Sequence, residues 1–195
     1  MDLGDLAGVK TVDWLIIVFF LVFFVLGYAQ GTIRRLIGIG SILFSFLFAA
    51  IVAGPLGEFL GNNWTHLPRE YAYMVGFGTV FVAASLAFAI VVQGFYRPQP
   101  LFEKARFVDE IIGGLLGVLQ AGIILLCVVV ILDTFFLKNI ARDPDEITFL
   151  RDFWNLLNGS EIVRVFRETI IPAFFTLFGL FIPESIKIYY PGRPA

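Results

Sequence analysis

The sequence predicts an all-α integral membrane protein, a four-transmembrane-helix bundle with an amphipathic C-terminal helical tail. Three observations predict it. Of 195 residues, 58% are hydrophobic and only 15% charged, against about 25% charge in soluble domains, so the chain lacks the polar residues to cover a soluble surface. Four apolar runs are long enough, at about 1.5 Å per residue, to cross a bilayer core. Small residues recur every four positions within them, the spacing at which helix backbones approach closely in lipid. The net charge of −2, without a basic cluster, gives nucleic acid no footing as a partner.

A short polar lead with Asp2, Asp5 and Lys10 precedes the first span, about residues 14–33. Asp13 and Trp14 open it, the aromatic suited to an interface. The lead is acidic and the apolar part long, so the span reads as a helix rather than a cleaved leader. Arg34 and Arg35 form a very short connection. The second span, about 36–56, carries the small stripe Ser41, Ser45, Ala49 and Ala53, and Pro55 and Gly57 mark its end. The third, about 71–95, follows a loop with Trp64, His66 and Arg69, and has Ala72, Gly76 and Ala84 among its small positions. A connection with Arg97, Pro98, Pro100, Lys104 and Arg106 leads to the fourth span, about 111–132, flanked by Asp109 and Asp133. Gly113, Gly117 and Ala121 line one face of it, so this helix is predicted to be the packing seam. Spans one and two, and three and four, read as two hairpins.

The first and third connections hold five basic residues against two for the lead and second connection. That places the odd connections in the cytoplasm and both termini outside it. Residues 1–133 then form the membrane domain and 134–195 an extracytoplasmic tail. In the tail Phe149, Leu150, Phe153, Trp154 and Leu157 share a helical face. Arg164, Arg167 and Glu168 are interleaved with Ile, Val and Phe. Residues 173–182 are apolar between Pro172 and Pro183. The reading is of amphipathic helices in the outer interface, with a short re-entrant crossing by 173–182 as the alternative.

These marks resemble the colicin V production protein family of bacterial inner-membrane proteins. The family's Asp before the first helix is matched by Asp13, its two glycines four apart by Gly27 and Gly31, and its following Arg by Arg34. The Asp, Gly, Gly opening of its fourth helix is matched by Asp109, Gly113 and Gly117. The agreement covers about residues 13–133. Three positions depart: Gln30 stands where the family often has Arg, Arg35 where Glu is common, and Gln120-Ala121 where an Arg-Gly pair is common. The resemblance implies a connection to colicin V production or export and to envelope maintenance.

Charges near a membrane are costly, so each invites a role. Asp109 precedes the fourth helix, where an acid favours the dipole. It lies on the side of Arg34 and Arg35, and the three are candidate cytoplasmic-edge ion pairs. Gln120, deep in the fourth span, needs a hydrogen-bond partner and is a candidate interhelical contact. Gly27, Gly31, Gly113, Gly117 and Ala121 are the candidate packing positions. The spans so drawn contain no ionisable group, which weighs against a monomeric transporter of charged solutes. His66 has no Cys or His companion for a metal, and lone Cys127 reads as packing. No Gly-x-Ser-x-Gly turn or phosphate loop occurs. The expectation is a non-enzymatic scaffold or accessory protein without cofactors, embedded in the lipid bilayer beside other membrane proteins or copies of itself. The alternative is an oligomeric membrane channel or transporter.

Overall fold

A computed structural model of the chain describes residues 10–63, 69–95, 106–137 and 148–178, and the regular elements among them are all helical. Their order is α1 (Thr11–Gln30), α2 (Thr32–Asn63), α3 (Arg69–Phe95), α4 (Arg106–Phe136) and α5 (Thr148–Asn158). There follow α6 (Glu161–Val165), a π-helical turn (Phe166–Ile170) and α7 (Ile171–Phe178), which form one unbroken helical course. The first four are long and apolar enough to cross a membrane. On α1, Leu15, Val18, Leu21, Val22 and Val25 are exposed, the surface a helix presents to lipid.

The helices run further than their apolar runs suggest. A single residue, Gly31, separates α1 from α2, so Arg34 and Arg35 belong to the first turn of α2 rather than to a connection. The spans are therefore not free of ionisable groups: Asp13, Arg35 and Asp133 are all buried within α1, α2 and α4. Gly31 adopts φ 75°, a region that favours glycine, and a Cβ there would also lie 2.5 Å from Oδ2 of Asp109. Pro55 does not end the second helix. Its ring is exposed and the helix continues to Asn63, because Pro removes one hydrogen bond without barring the turns beyond it. Pro172 likewise sits inside the tail helix. The preceding π-turn, in which Ile171 N–H donates to Phe166 O, adjusts the backbone just before the missing donor.

Consecutive spans do not form the two expected hairpins. α1 packs along α4 and α2 along α3, while α4 also lies along α2. α1 and α2 touch little beyond their junction. Gly57 and Gly76 approach closely on the α2–α3 seam, and Ser45, Ala49 and Ala53 of α2 and Ala72 of α3 are also buried. Ser41 and Ser45 donate back to the carbonyls of Ile37 and Ser41, at 2.8 and 2.7 Å. Phe46, fully buried, meets the rings of Phe77, Phe81 and Phe174. The tail thereby joins the same core as α2 and α3. The burial of α4 follows from this cover: its second half, Leu125 to Phe136, is buried almost all round, whereas Ile111, Leu115 and Leu119 in its first half stay exposed.

Candidate functional site

Two polar clusters lie along α4, one at its Asp133 end and one near its middle. The glycine seam sets the geometry between them. A Cβ on Gly113 would come 2.5 Å from Gly27 O and 2.8 Å from the Gly31 carbonyl carbon. Cβ atoms on Gly27 and Gly117 would run into the carbonyls of Gly113 and Phe23. Gly114 lies under the Phe24 ring, and Ala121 is fully buried. Only glycine allows α1 and α4 to cross at this separation.

Where the seam meets Gly31, Thr32 Oγ1 donates to Asp109 O at 3.1 Å, tying α2 to α4. The Asp109 carboxylate lies against Gly31 in the first turn of α4, where an acid complements the dipole. Arg106 pairs with Glu110 at 3.0 Å on the surface, which contributes little.

Arg35, expected with Arg34 to face Asp109, reaches deeper. Its Nη1 donates to Gln120 Oε1 at 2.6 Å, and its guanidinium lies 5.7 Å from the centre of the Phe23 ring. The Gln120 amide lies over Gly38, where a Cβ would be 3.0 Å from Nε2. Gln120 is eleven residues beyond Asp109, roughly 16 Å along the helix, so the contact lies near mid-length of α4. Two departures from the family pattern, Arg35 and Gln120, are thus one contact. A Glu–Arg pair at these positions would be an ion pair; here a guanidinium meets a neutral amide. The bond is worth about 1.5–3 kcal/mol, comparable with the roughly 2.5–3.5 kcal/mol an Arg costs at the centre of a membrane helix. Arg35 Nε is buried and has no hydrogen-bond partner among the described residues.

The other cluster clamps the tail to the bundle through two buried acids. Asp13, near the start of α1, accepts from Lys10 N at 3.3 Å, from the Ser160 hydroxyl, from Glu161 N at 3.4 Å and from Ile162 N at 3.2 Å. It thus caps the first turn of α6, and Ser160 accepts from Val163 N at 3.1 Å as the N-cap. Asp133, fully buried, takes a two-donor grip from Arg167, with Nε and Nη2 both at 2.7 Å, and the Trp154 indole N–H at 2.8 Å. Arg167 Nη1 also reaches Asn158 Oδ1 at 2.5 Å. Arg151 is buried over the rings of Phe136 and Trp154, 4.7 and 5.8 Å from their centres. Phe166 then meets Phe20 of α1 and lies beside Gly122 of α4, before Phe174 reaches Phe46 of α2.

Sequence reasoning misses this clamp. From the sequence Asp13 reads as a motif position and Asp133 as a flank. The signal is there in Ser160-Glu161, a helix start in need of a partner, and in Arg167 on an otherwise apolar face. His66, residues 97–105 of the third connection and residues 179–182 of the alternative re-entrant stretch lie outside the described residues.

These features define a multi-pass helical membrane protein whose C-terminal tail is built into the bundle. A family model described as colicin V production protein matches residues 12–171. The chain belongs to that family, and the match runs through the tail well beyond Asp133, where the quoted motifs end. No curated protein and no solved structure matches it.

Proposed function

We propose that the protein is a non-enzymatic membrane scaffold or accessory protein of the bacterial cytoplasmic membrane, serving colicin V production or export and envelope maintenance. The Arg34–Arg35 end of the bundle faces the cytoplasm, and the tail and both termini lie outside. The observation that carries this reading is the use made of the buried acids. Asp13 and Asp133 are taken up in holding the tail on the bundle, so the polar groups serve construction. α3, on the periphery, leaves Val82, Leu86, Ile90 and Val91 exposed for lipid or a neighbouring helix.

Photocrosslinkers at Leu86 and Ile90 in native membranes test it. The expected result is capture of a defined membrane protein or a second copy, with colicin V release falling when the capture is blocked by bulky substitutions. The channel or transporter reading rests on buried Arg35 near mid-length of α4. Selective solute flux through liposomes containing the pure protein, lost on Arg35→Gln, would overturn the scaffold reading.

A further inference from the structure

Arg35 is the exception among the buried charges. Asp13 accepts from backbone N–H groups and a hydroxyl, and Asp133 from a guanidinium and an indole. Arg35 is 5% exposed, yet no ion pair among the described residues includes it. Among the described residues its one hydrogen-bond acceptor is the neutral Gln120, through Nη1, and the buried Nε has none. Arg34, half-buried beside it, adds a second positive charge. A guanidinium presents its hydrogens along planar edges that match pairs of oxygens. With Nη1 taken by Gln120, the Nε edge has no acceptor among the described residues.

We propose that the wedge where α1, α2 and α4 meet binds an oxyanion of phosphate chemistry on the Nε edge of Arg35. Gln120 holds the guanidinium in orientation, Phe23 flanks it, and Gly38 leaves room for the amide. α1 and α2 pack little against each other beyond Gly31, so an anion would enter by parting them. The phosphate belongs either to a phospholipid headgroup or to a free anion. The site stands apart from the scaffold reading, since an accessory protein and a channel can each hold such a ligand.

The test uses the full chain in maltoside micelles, whose headgroups carry no phosphate, in a buffer without phosphate or sulfate. One arm titrates inorganic phosphate, and the other adds phosphatidylglycerol to the micelles. Thermal unfolding and native mass spectrometry are the readouts. At least one source is expected to raise the unfolding temperature of the wild type, since a ligand bound only by the native state stabilises it. Arg35→Gln should lose that response, and Arg35→Lys, which keeps the charge without the fork, should bind at least tenfold more weakly. A free-phosphate response alone assigns a soluble anion, and a phosphatidylglycerol response alone assigns a lipid. Should Arg35→Gln fail to fold, Gln120→Glu decides, because it supplies an internal carboxylate and leaves Arg35 in place. That variant should stay stable in both arms and cease to respond. Failure of both sources on the wild type, or an undiminished response in Arg35→Gln or Gln120→Glu, overturns the proposal.

Discussion

At Gly117 a side chain has nowhere to go, because its first carbon would meet the carbonyl of Phe23. Backbone cannot move aside as a flexible side chain can, so Gly117→Leu should exceed the 1–3 kcal/mol usual for overpacking. Gly40 is the matched control, exposed and with open space for 4 Å around the point a Cβ would occupy. Gly40→Leu should give wild-type yields of monodisperse protein, while Gly117→Leu gives little. Equal yields would show that α1 and α4 do not cross through the glycines. The Arg35–Gln120 contact permits a second test at this scale. Gln120→Arg alone places two guanidinium groups together and should destabilise. Adding Arg35→Glu creates an opposite-charge pair and should restore stability, with a coupling of about 2 kcal/mol in a double-mutant cycle. Additive effects on the unfolding temperature would mean that the side chains do not meet.

Among the elements, the tail depends on bonds that span long stretches of sequence. Asp133→Ala removes the partner of a guanidinium only 20% exposed, and breaking a buried pair costs about 3–5 kcal/mol. Asp133→Leu with Arg167→Met should cost less than either single change, since no charge is then stranded. Ser160→Ala should cost about 1 kcal/mol through loss of the N-cap. Protease sensitivity of α5 to α7, measured beside bundle unfolding, separates release of the tail from global loss. If cutting does not rise in Asp133→Ala, the clamp is not what holds the tail. Why the sequence hides this element follows from the same bonds. The apolar runs and four-residue glycine spacing are local, so the four long helices and the seam positions are legible. Asp13 meets Ser160, and Asp133 meets Arg167, through contacts that no local pattern encodes. Arg35 likewise finds Gln120 rather than Asp109 because helix tilt and rotation, not spacing, decide which acceptor a long side chain reaches.

On the scale of the whole molecule, the interleaved order matters more than the count of spans. Because α4 lies between α1 and α2, and the tail crosses from Phe20 of α1 to Phe46 of α2, the tail bridges helices that hardly touch one another. It is therefore part of the membrane fold, and its side of the membrane is that of Asp13 and Asp133. The proposed orientation puts that side outside the cytoplasm. With Cys127→Ser as background, a membrane-impermeant maleimide added to intact cells should label Asn155→Cys, exposed on α5. It should leave Arg106→Cys, exposed at the start of α4, unlabelled until the membrane is opened. The reverse pattern would invert the protein and place the tail clamp in the cytoplasm. Labelling of both positions in intact cells would break the four-crossing topology itself, since α4 joins them across the bilayer.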